Sequence, residues 1–591
     1  MRDEVWKLKT FTRRSFFIIW LKGVFFTMLG FRFAYLQIIE SDKYKTLAES
    51  NRIRLTLTPQ ARGQITDRND NFIATNRALF RLLVNNHDER SIHQTVAAIN
   101  QYLRSPIKMD EDELAELIKK SDKYGPITLI HELTWPDIAA MESHRYKLPD
   151  FIIEQAFKRE YPAREATAHL LGYIAPPTEE EVRKNSKQPG IFVHKDIPIG
   201  KNGVEKSLDS LLVGRPGIKR IEVDAHGKIV RELGQEPAIN GDRIAISIDV
   251  ELQKYIHELL AGRGGAAVVM HAITGEVLAM YSSPSYDPNL FIEGVTHEEW
   301  EKLTNNPNTP LMNKCISATY PPGSTFKMVT AIAAREAGIR SDYKVNCTGS
   351  YQVGSRTFHC WNRQGHGLVD MNTALAQSCN PYFYNVSEKI GIDEISKVAA
   401  ILGLGQKTGI ELPFESAGLI PNRSWKMKKY KQDWMRGDTV NASIGQGYVL
   451  ATITQLTVML ARIISGQNIT PTLRYGIQRT FDGLPLNAEH LEEVKDAIYA
   501  AFNRPYGKNY ASRLDIEGFE ISGKSGTTQV ASLANSKKRG LIDHGFFLGF
   551  APYQSPRYVV ASIVEHGGWG SSSAMPIVRQ IMQYLALKER S

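Results

Sequence analysis

Cysteine is scarce, with four in 591 residues, which excludes a disulfide-rich scaffold. No charge of one sign dominates either. There are 72 Lys and Arg against 63 Asp and Glu, and the surplus of +9 is spread along the chain, not gathered in a tail or stripe. Nucleic acid is therefore not an expected partner, whereas a mild basic excess suits work beside anionic lipid or an anionic polymer. From Asp42 to about Asn240 there is no internal repeat, no low-complexity tract and no nucleophile-and-base pair. That region reads as a non-catalytic stalk. Long apolar runs are rare too, and the one long enough to matter lies at the N-terminus.

Arg2, Lys7, Lys9, Arg13 and Arg14 precede a run from Phe16 to Leu36 rich in Phe, Ile and Leu. Basic residues ahead of an apolar run predict a cytoplasmic tail over 1–15, a membrane-spanning helix over 16–38 and everything later on the outer side. No small-x-small cleavage pattern comes after it, so the segment is expected to persist as a single-pass anchor. Lys22 and Arg32 interrupt the run, costing about 3 kcal/mol each at mid-bilayer against about 5 kcal/mol returned by the apolar residues. They balance by snorkelling outward or by marking the face that meets a partner helix. The competing reading is an amphipathic helix lying on the surface.

The stalk, 39–241, carries mixed helix and strand signals punctuated by Arg62-Gly63-Gln64-Ile65-Thr66-Asp67-Arg68, Gly200-Lys201-Asn202-Gly203 and Gly214-Arg215-Pro216-Gly217, with a turn expected at Asp196 to Gly200. A second domain, 242–591, begins with a strand over Arg243 to Ile248 and a helix over Val250 to Leu260. Ala266 to Met270 and Val277 to Tyr281, joined by Thr274-Gly275-Glu276, predict a β-hairpin. Phe546 to Phe550 and Tyr558 to Val564 predict two more strands, and Pro576 to Leu585 a closing helix. Strands at both ends around a helical middle make an α+β domain, an antiparallel sheet and a helical region meeting at a cleft.

Pro321-Pro322-Gly323 introduces Ser324-Thr325-Phe326-Lys327, and Phe326, Val329 and Ala333 recur at helical spacing up to Gly338. Ser324 and Lys327 then share one helix face, so an amine comes within reach of a hydroxyl and makes a nucleophile. Alone, such a pair is usually a capping serine and a surface lysine. Two further elements change the odds. Ser378-Cys379-Asn380 stands before an aromatic helix start, Tyr382-Phe383-Tyr384. Lys524-Ser525-Gly526-Thr527 lies between strand-like Phe519 to Ile521 and Thr528 to Val530, with Lys524 on an edge strand and Gly526 allowing close backbone approach. Ser-x-x-Lys, Ser-x-Asn and Lys-Ser-Gly in this order is the signature set of penicillin-binding proteins and class A β-lactamases.

The sequence resembles the class B penicillin-binding proteins, in their elongation branch, over nearly its whole length. Phe33 to Gln37, Arg62 to Asn69, Thr274 to Met280, Tyr286-Asp287-Pro288-Asn289 and Ser443-Ile444-Gly445-Gln446-Gly447 look like family signatures. One departure is His271-Ala272, where the family usually has Asp-Pro before Thr-Gly-Glu, which leaves that turn open. The resemblance implies a dimerisation-type stalk and a β-lactamase-like transpeptidase domain in the periplasm, anchored in the bacterial inner membrane. It implies that Ser324 attacks the bond between two terminal D-alanines of a peptidoglycan stem peptide and that β-lactams acylate it. Lys327 would be the base, Ser378 a proton relay and Asn380 a holder of substrate amides. Lys524 would attract the terminal carboxylate, with Ser525, Gly526 and Thr527 lining the substrate and the amides of Ser324 and Thr527 forming an oxyanion hole. No cofactor is needed for this chemistry. No glycosyltransferase domain is evident, so a polytopic membrane glycosyltransferase and other elongation-complex proteins are expected partners. A division-specific relative and a membrane-anchored β-lactam sensor are the alternatives.

Cys347, Cys360, His366 and Cys379 surround the second motif in a stretch of Gly and Arg with little core of its own. Three thiols and an imidazole would suit one structural zinc. A Cys347 to Cys360 disulfide or unpaired thiols fit equally well, and the resemblance tips the choice toward metal, because relatives of the elongation branch can carry a structural zinc here.

Overall fold

A computed structural model describes residues 2–41, 53–84, 89–107, 110–120, 126–148, 151–185, 197–223, 229–529 and 542–590. Asp196 and Val530 lie outside these ranges. The chain forms two compact units, one of Met1–Ala61, Ala78–Phe157 and Arg215–Asn240, the other of Arg62–Arg77, Lys158–Gly214 and Gly241–Ser591. Two stretches of the 39–241 region therefore stand in the same unit as everything after 241.

The first unit starts with helix α1, Arg2–Ala34, continued by a π-helical turn over Tyr35–Ile39. Its segment Arg13–Ile39 is 27 residues long with a mean hydropathy of 1.6 in its most apolar window and none of that window buried. At 1.5 Å per residue it reaches about 40 Å, enough for the roughly 30 Å hydrocarbon layer with room for tilt. Phe16, Phe25 and Phe31 all point away from protein, which an isolated helix in water would not tolerate. Farther along, Ile53–Thr58, Gly217–Val223 and Ile229–Glu236 form an antiparallel sheet with 217–223 in the middle. A separate core gathers Leu82, Ile92, Ile99, Leu114, Leu129 and Met141 from alternating strands and helices.

In the second unit the organising element is a five-stranded antiparallel sheet. Its strands are β1 Gly265–His271, β2 Val277–Ser283, β3 Ser522–Thr528, β4 His544–Ala551 and β5 Tyr558–Val564, in the order β2-β1-β5-β4-β3. Both faces are covered. Ala266, Val268, Phe546, Leu548, Ala561 and Ile563 point into a core shared with helices α3 Lys327–Glu336, α4 Asn380–Ile390 and α5 Ile453–Ser465. Ala267, Val269, Phe547 and Val560 point the other way, onto α2 Val250–Leu259 and α6 Ala574–Arg590. Burial on two faces is why these strands read as unbroken apolar runs. Residues Ile453 to Ile463 of α5 are all buried, and Thr452 and Gln455 close its start with a capping box.

The hairpin β1–β2 forms with its turn at Thr274-Gly275-Glu276, despite the departure at His271-Ala272. His271 Nδ1 accepts the amides of Thr274 (3.2 Å) and Ile273 (3.4 Å), and burial lowers the imidazole's pKa, so the neutral ring serves as the turn's acceptor. The strand expected over Arg243 to Ile248 shrinks to Ile244-Ala245, paired in parallel with Ile65-Thr66. Beyond it Ser247 turns its hydroxyl onto the carbonyls of Val277 (2.7 Å) and Thr472 (3.2 Å). Ile199-Gly200, expected in a turn, pairs with Ile174-Ala175. In the Arg62 to Asn69 signature, Asp67 accepts the amides of Asn69 (2.9 Å), Asn71 (2.8 Å) and Val250 (3.1 Å), which fixes the turn before 72 and the start of α2.

Candidate active site

The turn that carries Ser324 differs from expectation in pitch. Gly323–Phe326 is a 3₁₀ turn, and the α-helix starts at Lys327. Three residues per 3₁₀ turn stack positions i and i+3, so Ser324 and Lys327 still share a face. Gly323 has φ +57, and a Cβ there would meet the Thr527 carbonyl at 2.6 Å, so the turn tolerates only glycine. Gly323 N–H donates to the Gly445 carbonyl (2.9 Å), and Gln446 Nε2 to the Thr527 carbonyl (3.2 Å). The Ser443 to Gly447 signature thus acquires a role: it ties the turn of Ser324 to β3.

Strand β3 is the sheet's edge, in register Lys524 with Leu548, Gly526 with Phe546 and Thr527 with Gly545. A Cβ on Gly526 would come within 2.8 Å of the Pro322 carbonyl and 3.0 Å of Thr325 Cγ2. Its absence lets the strand lie against the turn that carries Ser324. Thr528 Oγ1 donates to the Pro321 carbonyl on the same side.

Ser378 sits in the left-handed region at φ +55. It follows helix Met371–Ala376, where Cys379 N–H reaches the Ala374 carbonyl (2.8 Å) and Ser378 N–H that of Leu375 (3.2 Å). This is a Schellman closure with serine where glycine is usual. The strained position turns the Ser378 hydroxyl toward Lys327 instead of continuing a helix. Asn380 opens α4, with Pro381 in its first turn.

These elements bring three of the predicted residues into direct contact. Lys327 Nζ donates to Asn380 Oδ1 (2.6 Å), the Ser378 carbonyl (2.9 Å) and Ser378 Oγ (3.2 Å), and lies 5.5 Å from the centre of the Phe383 ring. The side chain is completely buried. Burial pushes its pKa down to about 7, helped by the charge of Lys508 and opposed by nearby cysteines. Lys524, equally buried, donates to the Ser525 carbonyl (3.2 Å) and is held well below the ordinary lysine range by burial, then by Lys327 and Lys508. Ser324, like Asn380 and Thr527, is partly open to solvent, and among the described residues its hydroxyl makes no hydrogen bond.

Beside Ser378 the ligand atoms of Cys347, Cys360, His366 and Cys379 lie within 4.8 Å of one another. His366 Nδ1 is 3.5 Å from both Cys347 Sγ and Cys360 Sγ. All four cysteines are unpaired, so the disulfide alternative does not hold. Tetrahedral bonds of about 2.3 Å to sulfur place ligands roughly 3.8 Å apart, a small contraction of this cluster. The Cys360 thiol is shifted toward thiolate, first by a hydrogen bond from Cys379 and then by His366, against its burial. Donor set, spacing and a stabilised thiolate all fit zinc.

Two family models match the chain in series: the penicillin-binding protein dimerisation domain over residues 57–246 and the penicillin-binding protein transpeptidase domain over 265–583. The chain belongs to the penicillin-binding proteins. Among penicillin-binding proteins it is similar to the peptidoglycan D,D-transpeptidase MrdA of Acinetobacter baumannii, at 34% identity over 100% of this chain and 90% of that one. It is 32% identical to MrdA of Escherichia coli over 94% and 91%. Of solved structures, penicillin-binding protein 2 of Helicobacter pylori in complex with MreC aligns with a TM-score of 0.80 at 28% identity, covering 90% of this chain and 99% of that one. Penicillin-binding protein 2 of Pseudomonas aeruginosa, in complex with WCK 5153, aligns at 0.67 and 30% identity, covering 90% and 96%. The chain is a penicillin-binding protein of this second type, with the α+β architecture expected of it.

Proposed function

We propose that Ser324 is the nucleophile through which this chain, a serine-type peptidoglycan D,D-transpeptidase of cell elongation, cross-links stem peptides. Ser324 Oγ attacks the carbonyl between two terminal D-alanines and passes its proton to Lys327. The C–N bond breaks and the last D-alanine leaves with a proton, leaving an ester on Ser324. An amine of a neighbouring stem then attacks the ester, the new C–N bond forms, and the serine regains its proton. Water in place of the amine gives carboxypeptidase action. The observation that carries this reading is the buried Lys327 amine among three acceptors. An ammonium has three N–H groups, so taking the Ser324 proton completes a set already in place, which lowers the cost of charging a buried amine. Ser378 connects to that amine as relay, Asn380 holds substrate amides, and Lys524 draws the terminal carboxylate toward β3, where Ser525, Gly526 and Thr527 line the substrate. Amides of Ser324 and Thr527 would receive the oxyanion.

One zinc held by Cys347, Cys360, His366 and Cys379 would be structural, since four protein ligands leave no open position for water. It would fix the segment from which Ser378 and Asn380 project. The apolar N-terminal segment is a single-pass anchor, and the basic residues before it favour a cytoplasmic N-terminus with the enzyme on the periplasmic face. The H. pylori relative is solved with MreC, and a further relative, with a TM-score of 0.71 and 26% identity, in a peptidoglycan synthase complex that coordinates polymerization and crosslinking. By this likeness the chain's partners are elongation-complex proteins, among them a polytopic membrane glycosyltransferase.

Intact-protein mass spectrometry after penicillin treatment tests the core of the reading. A single stable adduct is expected on the natural chain and none on Ser324→Ala; an adduct that survives the substitution rules out Ser324. Rapid turnover of a chromogenic β-lactam would point to a β-lactamase instead.

A further inference from the structure

One short stretch departs from the even spread of charge. From Arg423 to Asp438 the chain carries six Lys and Arg against two Asp, on a helix over Arg423–Tyr430 and the loop that follows it. Three of the cations have partners: Arg423 with Asp393 (3.2 Å), Lys426 with Asp438, and Arg436 with Glu388 (2.7 Å). Lys428, Lys429 and Lys431 are exposed, and among the described residues none of them has a carboxylate partner. Lys428 and Lys429 lie in the helix's last turn, where its dipole favours cations. Lys431 follows that turn at φ +56, in the left-handed region where glycine or asparagine is usual, so a charge stands there against the backbone's preference.

Aromatic rings gather beside these cations. Tyr430 and Tyr448 lie 5.6 Å apart, centre to centre, and Trp425 meets them at 5.6 and 5.1 Å. Lys429 Nζ is 5.4 Å from the centres of both the Trp425 and Tyr430 rings. Among the described residues Trp425 Nε1 and the hydroxyls of Tyr430 and Tyr448 hydrogen-bond to no protein group, which leaves three polar edges for a ligand or water. Along the same helix Arg423, Ser424, Met427, Asp433 and Trp434 line a hollow of about 370 Å³, within the range of small-molecule sites. The ring cluster also borders the catalytic cleft. Tyr448 stands in a segment tied at both ends to the residues around Ser324: Gly445 accepts from the Gly323 amide (2.9 Å), and Ala451 exchanges two backbone bonds of 2.9 Å with Tyr320.

The chemistry of the patch selects among ligands. Arg423 to Arg436 includes no Leu, Ile, Val or Phe, the residues that give a lipid-buried helix face most of its bulk. Rings with free polar edges beside unpaired ammonium groups suit a polymer of sugars that also bears carboxylates. A pyranose ring offers a flat face of C–H bonds edged with hydroxyls, and an uncross-linked stem peptide ends in a carboxylate, which a lysine attracts. We propose that Tyr430 and Tyr448 with Lys428, Lys429 and Lys431 form a subsite for the peptidoglycan strand, the rings taking sugar units and the lysines the carboxylates of stems along it. The proposal rests on the transpeptidase reading and gives the enzyme a hold on its polymer outside the cleft that takes the reacting stem.

The test uses the full-length chain in phosphatidylcholine nanodiscs, treated with penicillin so that the cleft is occupied, and short fluorescent peptidoglycan strands with uncross-linked stems. Anisotropy should report binding that weakens as salt is added. Combining Lys428→Gln, Lys429→Gln and Lys431→Gln should weaken it about tenfold or more and remove most of the salt dependence. Strands stripped of their stems should bind the triple variant as well as they bind the natural chain, whereas Tyr430→Ala should weaken both kinds of strand. Lys431→Gly, which suits the left-handed position, should melt no lower than the natural chain and still bind strands less tightly, so that lost folding cannot account for lost binding. A penicillin-treated natural chain that binds no strand overturns the proposal, as does a triple variant that binds as the natural chain does. Strand binding that disappears when phosphatidylglycerol replaces phosphatidylcholine would overturn it too, by giving the patch to the membrane. Absence of a penicillin adduct would instead strike the transpeptidase reading, and strand binding would then be compared on the untreated chains.

Discussion

Loss of hydration brings the Lys327 amine's pKa to about 7, so a neutral base is well populated near physiological pH. Below that value the acylation rate of Ser324 by penicillin should fall about tenfold per pH unit, because only the unprotonated amine can accept the hydroxyl's proton. Above it the rate should level off. Stopped-flow acylation from pH 5 to 9 checks this, and a flat profile would remove Lys327 from the base role. Lys327→Arg, charged at every pH, should lose about 10²- to 10⁴-fold in rate. Ser378 permits a sharper separation of structure from chemistry. Glycine is the usual residue at its left-handed position, so Ser378→Gly should leave the melting temperature unchanged or raise it, relieving about 1 kcal/mol of backbone strain, while acylation drops for want of the relay hydroxyl. Serine could be singled out in the sequence because Ser-x-Asn is a local word. Its backbone conformation could not, since it depends on how the preceding helix closes.

At the scale of elements, hairpin, late strands and closing helix were legible because apolar runs bounded by turn residues leave few alternatives. Pitch and length were less so. The 3₁₀ turn at Gly323–Phe326 is imposed by packing against β3 and Gly445, neither of which is near in sequence. The strand expected from Arg243 is cut to two residues because Ser247 leaves the ladder for other carbonyls. The segment from Val345 to Val369 is the extreme case: two small two-stranded sheets, Val345–Cys347 with Gly367–Val369 and Ser350–Val353 with Arg356–His359. Elements so short cannot hold themselves together by burial. If zinc closes this segment, metal should copurify at about one per chain, a count set by the one four-ligand cluster among the described residues. Cys379→Ser should lose that metal and acylate more slowly with penicillin, since Ser378 and Asn380 flank the missing ligand. Metal analysis showing no zinc, together with undiminished acylation by the variant, would dispose of this role.

For the whole molecule, the sequence offered a boundary near 242 and little sign that Arg62–Arg77 and Lys158–Gly214 would share a compact unit with Gly241–Ser591. Asp67 on the Val250 amide and the pairing of Ile65-Thr66 with Ile244-Ala245 tie the first stretch to the third, and the first two are joined by a contact 143 residues long in sequence. Glu205, fully buried, accepts from Arg62 Nε (2.6 Å) and Arg159 Nε (2.7 Å), with Tyr161 Oη adding a third bond (3.2 Å). Asp209 takes the second arm of Arg62 (2.6 Å). No local pattern announces such a cluster, because each charge looks like ordinary surface until its partners arrive. Burial resists the charge on Glu205, but the two guanidinium groups override it and hold the carboxyl below its ordinary value of 4.5. A carboxylate whose folded pKa is depressed stabilises the fold fully above its unfolded pKa, and that stabilisation is lost as pH falls through the folded value. Glu205→Gln would leave two buried guanidinium groups facing a neutral amide, and removing one partner from such a set costs about 3–5 kcal/mol. The variant should therefore unfold at lower urea than the natural chain at pH 7, and the gap should narrow below pH 4.5 as the natural carboxyl takes up its proton. A gap that stays constant across that range would mean that the cluster's charge contributes nothing and that Glu205 is held there by packing alone.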